Sequence, residues 1–384
     1  MTGSLPKTRP IEINDGELLI LKVDNRDPQT QPIWIKHLVN QLDALVAERV
    51  TVEKNTPRYF DLQALNENTL NSYRSDLKMI DQALGGVNTL PIPVSLLREY
   101  LSNCARAGQT PTTINRRLVA LSWAQRQLQY PDTTRHPAVQ SVMKGIRVDR
   151  VKNDNWIPDR VPALSLSQIK RMVDTAGNDL RSVRDRAMIL VGFYGAMRES
   201  ELAGIKVEDI FSCDIGLSIR MGITKTDQTG EKGFYKALPL VPQPNDRYCP
   251  VSAIEEWKQL AGITEGYLFR GFQLKNMKIN GEKQSVLSVA GFKWKNGERV
   301  PVKISHVSVN KAIKSLAKAA MLEQSGKYAG HSLRAGFVTS LRGYVDDEKI
   351  TRQTGHADIK MLKVYDRPED AFEKSPVMDL IRLL

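Results

Sequence analysis

GHSLRAG at residues 330–336 and TGHADIKMLKVYD at residues 354–366 place two histidines, an arginine and a tyrosine near the carboxyl end of this 384-residue chain. His331 precedes Arg334 by three residues, so a helix would put both side chains on one face. The second histidine precedes Tyr365 by nine residues. The two segments therefore combine a phenol, which can act as a nucleophile, with groups that can move a proton or stabilise negative charge.

Three short segments upstream extend this pattern. GAMRESEL occupies residues 195–202, ITKT occupies residues 223–226, and KALPL occupies residues 236–240. Taken in chain order with the histidine and tyrosine segments, they resemble the active-site boxes of the tyrosine recombinases, the phage integrase family. Members of this family carry G-x-R-x-x-E-L, a lysine on a β-hairpin, H-x-x-R, and G-H or G-W followed nine residues later by a tyrosine. This chain departs from the pattern by one extra residue between Gly195 and Arg198.

The resemblance runs from about Asn68 to Asp366 and is closest in motif detail to Cre-like site-specific recombinases, because of the TKT and KALPL strings. It implies a mainly α-helical protein with a small antiparallel β component in its C-terminal domain. The expected architecture is a two-domain, C-shaped clamp around DNA. One arm is a helical core-binding domain, and the other is an α+β catalytic domain.

Helical spacing, turn residues and a polar stretch with two prolines divide the chain into parts. The expected parts are a partly disordered N-terminal extension (1–60), a helical core-binding domain (61–150), a linker (151–165), a catalytic domain (166–370) and a C-terminal segment (371–384).

The N-terminal extension contains one apolar stripe at helical spacing. Its members are Ile35, Leu38, Leu42 and Leu45. The stripe predicts a helix, and for the extension as a whole a capping or partner-contacting role is favoured over a catalytic one.

The net charge and the cysteine content restrict the class of binding partner and the cellular compartment. The formal net charge is +12 and the sequence pI is about 9.5, which indicates an anionic partner, commonly nucleic acid; a merely soluble basic protein is the alternative. The three cysteines are widely separated, which fits a reducing cytoplasm. Within the cytoplasm, the protein is expected on the bacterial nucleoid or on plasmid or phage DNA. No apolar run is long enough to predict a membrane span, and no secretory signal is recognised.

Cleavage of a phosphodiester requires a nucleophile, charge to stabilise the transition state, and a proton for the leaving 5′-oxygen. The resemblance assigns the nucleophile to Tyr365, whose phenol has an ordinary pKa of about 10 and needs neighbouring cations or a base to lose its proton. It implies that Arg198 and Arg334 bind the non-bridging oxygens of the phosphate, because a planar guanidinium donates two parallel hydrogen bonds. Each arginine could contribute about 3 kcal/mol to transition-state stabilisation.

Proton transfer is expected to involve other residues of the boxes. Lys225 in the TKT string is the candidate general acid for the 5′-oxygen, and Lys232 and Lys236 are nearby alternatives outside that position. The resemblance implies that His331 accepts or relays the proton of the tyrosine. It implies that His356 donates a hydrogen bond to the phosphate.

Glu201 lies three residues after Arg198, where the family keeps a carboxylate. It is expected to orient His331 or an arginine, and a simple helix salt bridge is the alternative. No cofactor and no metal are expected, because cationic side chains take the place of magnesium and the sequence carries no Walker loop or metal-binding motif.

A local excess of positive charge predicts DNA contacts in the core-binding domain. Residues 101–150 contain eight Lys or Arg and two Asp or Glu. The helix predicted to begin at Pro111 carries Arg116, Arg117 and Arg126 on its outer face. Contact with the DNA backbone is favoured over a merely solvated helical face.

A second basic stretch lies in the catalytic domain, where residues 271–320 contain ten Lys or Arg and two Asp or Glu. Asn-Gly dipeptides at residues 280–281 and 296–297 predict one or two β-hairpins followed by a helix. The stretch is interpreted either as a DNA-facing insertion, with Lys293 and Lys295 as candidate contacts, or as a solvated loop.

The resemblance implies partners as well as chemistry. It implies strand exchange between two short inverted-repeat sites in double-stranded DNA, through a 3′-phosphotyrosine and a Holliday junction and without ATP. It also implies a homotetramer in which the apolar segment 371–384 docks onto a neighbouring subunit; packing onto its own subunit is the alternative.

Two other functional hypotheses remain open from the sequence. One is another DNA enzyme with a tyrosine nucleophile, such as a type IB topoisomerase or a telomere resolvase. The other is a non-enzymatic DNA-binding protein built on a decayed integrase fold. The helical domain and the TKT hairpin favour a recombinase, and the filled catalytic positions argue against decay.

Overall fold

The computed structural model describes residues 35–63, 66–85, 90–154, 161–222, 233–279, 282–295, 298–356, 358–365 and 381. The chain divides into two compact units, residues 1–158 and 159–384. In the part that is described, the first unit is helical, and the second combines helices with short antiparallel strands. The predicted fold class, mainly α with a small antiparallel β component, is confirmed.

Six α-helices form the described part of the first unit. They are α1 (Ile35–Thr51), α2 (Pro57–Gln63), α3 (Glu67–Ala83), α4 (Val94–Arg106), α5 (Pro111–Gln127) and α6 (Pro137–Asn153). Thr110 begins α5, because its hydroxyl accepts a hydrogen bond from the N–H of Thr113 and the following Pro111 has no N–H to leave unpaired. The apolar faces of these helices meet in one core.

Helix α1 belongs to this core rather than to a separate extension. The residues of its predicted stripe are all buried: Ile35, Leu38, Leu42 and Leu45. The stripe is therefore confirmed, and in the structure α1 packs on α3 and supplies part of the same core as the helices after residue 60. The prediction of disorder concerns residues 1–34, which lie outside the described residues. Helix α6 also continues to Asn153, inside the predicted linker 151–165.

Seven helices and seven strands form the described part of the second unit. The helices are α7 (Leu166–Thr175), α8 (Leu180–Tyr194), α9 (Glu199–Gly204), α10 (Pro250–Ala261), α11 (His306–Ala319), α12 (Gly330–Leu341) and α13 (Asp347–Thr354). The strands are β1 (Ile210–Cys213), β2 (Gly216–Arg220), β3 (Tyr235–Pro239), β4 (Phe272–Ile279), β5 (Glu282–Val289), β6 (Phe292–Lys295) and β7 (Glu298–Pro301). A 3-10 helix, Ile359–Tyr365, follows α13.

The strands form three antiparallel sheets, in the order β1-β2-β3, β4-β5 and β6-β7. The β-hairpin implied by the resemblance has its strands in β2 and β3, which pair so that Ile219 lies opposite Lys236. The hairpins predicted from the Asn-Gly dipeptides are confirmed as β4-β5 and β6-β7. The chain between β2 and β3, residues 223–232, lies outside the described residues.

Helix α8 lies at the centre of the second unit, because residues 183–193 are buried along its whole circumference. Asp179 begins it by accepting hydrogen bonds from the N–H groups of Arg181 and Ser182. Helices α10 and α12 pack against α8. The end of α8 and the start of α12 are therefore held together in space, although they are far apart in the sequence. No helix within the described ranges has both the length and the apolar character needed to span a bilayer.

Candidate active site

Helix α12 carries His331 and Arg334 and packs unusually close to neighbouring backbone. A Cβ on Gly336 would lie 1.8 Å from the carbonyl oxygen of Leu164. The N–H of Leu164 donates to the carbonyl of Ser332 at 3.0 Å. The second glycine of GHSLRAG is therefore required by close backbone approach, and it fixes the position of the helix that carries two of the candidate residues.

Arg334 lies inside the protein, with 1% of its surface exposed. Its Nη1 donates to the carbonyl oxygens of Ala196 at 2.8 Å and Thr354 at 2.7 Å, and its Nη2 lies 2.9 Å from Nε2 of His356. Burial lowers the pKa of Arg334, and the positive charge of Arg198 lowers it further, but a guanidinium stays protonated in proteins. Arg334 thus joins the turn after α8 to the end of α13.

The hydrogen bonds of His356 define its protonation state. A guanidinium has no acceptor, so Nε2 of His356 accepts from Arg334. Its Nδ1 lies 2.8 Å from Oγ1 of Thr354, whose own proton goes to the carbonyl of Thr351. Burial, followed by the charges of Arg334 and Arg198, lowers the pKa of His356 to about 4. The ring is therefore neutral at pH 7, and the hydrogen bonds assign its proton to Nδ1.

The 3-10 helix Ile359–Tyr365 brings the tyrosine back to α12. The ring of Tyr365 lies 5.9 Å from the ring of His331 and 5.8 Å from the ring of His356, measured between centroids, and 8% of the residue is exposed. Burial lowers the pKa of Arg334, and the hydrogen bond between Arg334 and Tyr365 opposes that shift. The phenol, both histidines and one arginine are thus brought together within one chain.

His331 differs from His356 in its surroundings. Its side chain is partly open to solvent. Burial of the rest of the ring lowers its pKa, as do the charges of Arg334 and Arg198, while Glu199 opposes the shift. A neutral imidazole beside a tyrosine can accept a proton, so the geometry is compatible with the base role that the sequence suggested.

Arg198 begins helix α9 and is held there by Glu201. The Oε2 of Glu201 accepts from the backbone N–H of Arg198 at 2.9 Å, and its Oε1 forms an ion pair with the guanidinium. Burial raises the pKa of Glu201, but Lys236 and the N–H and charge of Arg198 together lower it below the ordinary value. Glu201 is therefore ionised. Glu201 was expected to orient either His331 or an arginine, and in the structure it contacts Arg198.

Lys236, which the sequence offers only as an alternative to Lys225, lies inside the site. It points inward from β3, is fully buried, and its Nζ lies 3.6 Å from Oε2 of Glu201. The sequence carries a signal for this burial. In YKALP, Lys236 and Leu238 occupy the same face of the strand, so the lysine lies at a position where the alternation predicts an apolar residue.

Other candidates are not described or lie elsewhere. Lys225 and Lys232 lie outside the described residues. The prediction that Arg117 lies on the outer face of α5 is wrong, because its Nη1 donates inward to the hydroxyl of Tyr100 at 3.2 Å and to Oε1 of Gln109 at 2.7 Å.

Three of the remaining basic candidates, Arg116, Arg126 and Lys293, lie at the surface. Arg116 is exposed but makes two hydrogen bonds, of 2.8 and 2.7 Å, to Asp76, whose side chain is buried. Arg126 on α5 and Lys293 on β6 are exposed. Lys295 lies at the end of β6.

The assembled groups can bind an anion and move a proton. Arg198 and Arg334 carry positive charge in one region, only partly offset by Glu201, so a phosphate would be stabilised there. A neutral imidazole next to the phenol of Tyr365 can take its proton. Within the described residues, no group of three or more His, Cys, Asp or Glu side chains is arranged to hold a metal ion.

Comparisons with protein families agree with this arrangement. A model described as "Phage integrase family" matches residues 162–371, which is more than half of the chain. A second, described as "Phage integrase, N-terminal SAM-like domain", matches residues 59–126.

Several relatives share most of the chain. An integrase/recombinase xerD homolog of Selenomonas ruminantium is 28% identical over 304 residues, covering 78% of this chain and 81% of the relative. Tyrosine recombinase XerD of Halalkalibacterium halodurans is 26% identical over 326 residues, covering 82% and 93%. Recombinase cre of Escherichia phage P1 is 23% identical over 292 residues, covering 72% and 76%.

Solved structures share the fold. XerH site-specific recombinase in a post-cleavage complex with a palindromic difH substrate superposes with a TM-score of 0.54 at 16% identity, covering 89% of this chain and 84% of that one. A lambda integrase tetramer bound to a Holliday junction gives a TM-score of 0.51 at 14% identity, covering 90% and 78%.

Proposed function

The chain belongs to the phage integrase family of tyrosine recombinases, and we propose from this premise that Tyr365 attacks a DNA phosphodiester. The observation that supports this role is the position of its ring, close to the rings of both His331 and His356. The hydroxyl also reaches Arg334, the most deeply buried guanidinium of the site. A phenol in the same cluster as two imidazoles and two guanidiniums is suited to nucleophilic attack on phosphorus.

The reaction follows from the roles of these groups. The Oη of Tyr365 bonds to phosphorus, the bond from phosphorus to the 5′-oxygen breaks, and a 3′-phosphotyrosine remains. The phenol proton passes to His331, and the 5′-oxygen takes a proton from Lys225, the candidate general acid on the β2–β3 connection. Rejoining is the reverse attack by a 5′-hydroxyl of another strand. The bond energy is kept in the phosphotyrosine, so ATP is not needed.

Arg198 and Arg334 bind the non-bridging oxygens in this scheme. Arg334 is held by two carbonyl groups through Nη1, which leaves Nη2 to turn from His356 to the phosphate. Once Nη2 has turned away, Nε2 of His356 no longer has to accept and can carry a proton toward the phosphate. The donor role of His356 thus depends on a change in its hydrogen bonds when DNA binds.

The DNA contacts proposed outside the active site lie on both units. Arg126 on α5 of the first unit and Lys293 on β6 of the second present exposed cations, and the β4–β5 ribbon carries exposed Lys275. A two-stranded ribbon fits the major groove of B-DNA, and lysines along it neutralise phosphates. Lys295 at the end of β6 is included on its sequence position. Arg117 is excluded because it is buried.

The assembly proposed is a homotetramer on two DNA sites. A lambda integrase tetramer bound to a Holliday junction supports it, because that structure shares the fold. We propose that the apolar segment 371–384 docks onto a neighbouring subunit. It lies outside the described residues apart from Ile381. We place the protein in the bacterial cytoplasm, on the nucleoid or on plasmid or phage DNA.

Capture of the covalent adduct tests the function. Cells that express the protein are denatured rapidly, the protein is recovered, and DNA attached to it is sequenced, which gives both the site and the cleavage position. Tyr365→Phe should give no adduct and keep DNA affinity, whereas Tyr344→Phe, a change at an exposed tyrosine of the same unit, should behave as wild type. A covalent adduct formed by Tyr365→Phe would contradict the proposal that Tyr365 is the nucleophile. Adducts spread over all sequences, with relaxation of any supercoiled plasmid, would indicate a topoisomerase instead.

A further inference from the structure

Lys236 is a buried cation that the scheme above does not use. Its side chain has no exposed surface, and Nζ donates to the carbonyl oxygens of Gly195 at 2.8 Å, Ala196 at 3.2 Å and Gln353 at 3.0 Å. Its fourth neighbour is the carboxylate of Glu201 at 3.6 Å. An ammonium carries three N–H donors, and here all three have acceptors inside the protein.

The acceptors belong to the two turns that carry active-site side chains. Gly195 and Ala196 form the turn that ends α8 and leads to Arg198, and Gln353 lies in the last turn of α13, three residues before His356. One ammonium therefore ties the arginine turn to the histidine turn across 158 residues of sequence from Gly195 to Gln353.

The arginine turn has an unusual backbone that the ammonium helps to hold. Ala196 has a φ of +45°, in the left-handed region that costs a residue with a side chain about 1 kcal/mol or more. Its carbonyl oxygen accepts from Lys236 and also from Nη1 of Arg334 at 2.8 Å. The same carbonyl thus links Lys236 to the arginine that faces Tyr365.

A buried lysine is expensive, so its presence needs an explanation. Burial lowers the pKa of Lys236 to about 7, with Glu201 opposing the shift and Arg334 and Arg198 adding to it. An apolar residue of similar size at this position of β3 would avoid the cost of burying a charge. A cation is therefore retained in spite of its cost to stability.

We propose that Lys236 is a positioning residue for the strand-cleavage reaction, which holds the Arg198 turn and the His356 turn in register through three backbone carbonyls. It does not touch DNA, because its ammonium is enclosed and its donors are used. This inference rests on the proposed function, since it concerns the rate of the same reaction.

The alternative is that Lys236 acts as the general acid in place of Lys225. A lysine with a pKa of about 7 is matched to that task. The geometry argues against it, because Nζ would have to leave three carbonyl groups to reach a 5′-oxygen.

The first test compares Lys236→Met with Leu238→Ala, a core substitution on the same strand and the same face. Single-turnover cleavage is measured at saturating DNA, using a nicked duplex that carries the site recovered from the adduct. Lys236→Met should lower the rate about 100-fold, as expected for misplacement by about 1 Å, with the Kd for DNA changed less than about threefold. Leu238→Ala should lower the melting temperature but leave the rate of the folded protein near wild type. Equal rate losses in the two variants, or none in Lys236→Met, would overturn the proposal.

The second test separates positioning from acid catalysis. A substrate with sulfur at the bridging 5′ position has a leaving group that departs without a proton. Lys236→Met should remain about 100-fold slower than wild type on this substrate, because the arginine and the histidine are still misplaced. Full recovery of the rate would show that Lys236 is the acid and would refute the positioning role. Failure of the proposed function itself looks different, because wild-type protein would then form no adduct with either substrate.

Discussion

The Nη2 of Arg334 lies 2.9 Å from Nε2 of His356, and this contact fixes the chemistry of the histidine. A guanidinium can only donate, so Nε2 must be an acceptor and the ring must be neutral. The proton then sits on Nδ1, facing Oγ1 of Thr354. A residue expected from the sequence to donate to phosphate thus accepts a hydrogen bond from Arg334 in this structure.

The tautomer of His356 can be observed directly. We expect its ring nitrogens, in ¹⁵N NMR spectra, to show a neutral Nδ1–H form from pH 8 down to pH 5, because its pKa is lowered to about 4 by burial and by Arg334 and Arg198. His356→Asn identifies the signal by its loss. Titration of this signal with a midpoint near pH 6.5 would contradict the hydrogen-bond assignment.

The same shift predicts how stability depends on pH. The folded pKa of His356, about 4, lies below its ordinary value of 6.5, so between these values the unfolded chain binds more protons. The contribution of His356 to the free energy of unfolding is therefore fully present above pH 6.5 and is lost as the pH falls through about 4. Urea unfolding of wild type and His356→Asn should show a difference in stability that narrows over this window. A difference independent of pH would speak against the shift.

Arg334→Ala and Arg198→Ala should both lower the cleavage rate by two to three orders of magnitude, about the loss seen when one preorganised donor is removed. Their effects on stability should differ. Arg334→Ala removes a donor from the carbonyl of Thr354 and from that of Ala196, which keeps Lys236, so the free energy of unfolding should fall by about 1–3 kcal/mol. Arg198 is partly exposed, so Arg198→Ala should lower the free energy of unfolding by less than Arg334→Ala does.

Both arginine variants are assayed by single-turnover cleavage and by urea unfolding. Arg247→Ala, at an exposed arginine that pairs with Asp174, serves as the control and should change neither quantity much. Cleavage by Arg334→Ala at near the wild-type rate would mean that the buried guanidinium does not act on the phosphate.

Salt dependence should distinguish surface cations from the buried arginine of α5. Arg126→Met should reduce the slope of log Kd against log salt concentration by about 0.9, the value for one phosphate contact with duplex DNA. Arg117→Met should leave the slope unchanged and lower the melting temperature, because Arg117 bonds to Tyr100 and Gln109 inside the protein. Fluorescence anisotropy at several salt concentrations gives both slopes. The reverse pattern would show that Arg117, and not Arg126, contacts DNA.

Leu42→Ala should destabilise the first unit by about 2–5 kcal/mol, because Leu42 is fully buried between α1 and its neighbours. Asn40→Ala, at an exposed position of the same helix, should change stability by less than about 0.5 kcal/mol. Chemical unfolding of the two variants measures both values. If Leu42→Ala were as mild as Asn40→Ala, α1 would be an appended segment, as the sequence first indicated.

The sequence by itself determined which segments carry the chemistry and what secondary structure holds them. The spacing in GHSLRAG and around Tyr365 selected the family, the helical spacing of apolar residues located α1, and Asn-Gly dipeptides located the two hairpins. These signals are local: period, turn preference and motif spacing depend on neighbours a few residues away. They identify a residue type and its element without knowledge of what packs against it.

The tertiary structure decided which cations face solvent, which are buried, and what each donates to. Arg117 is bonded inside a helical core and Lys236 ties two turns together, and in neither case do the residues beside it in sequence name its partners. The acceptor state of His356 likewise depends on Arg334, which comes from another helix. Burial and hydrogen-bond partners arise from segments far apart along the chain, so only the packed structure assigns them.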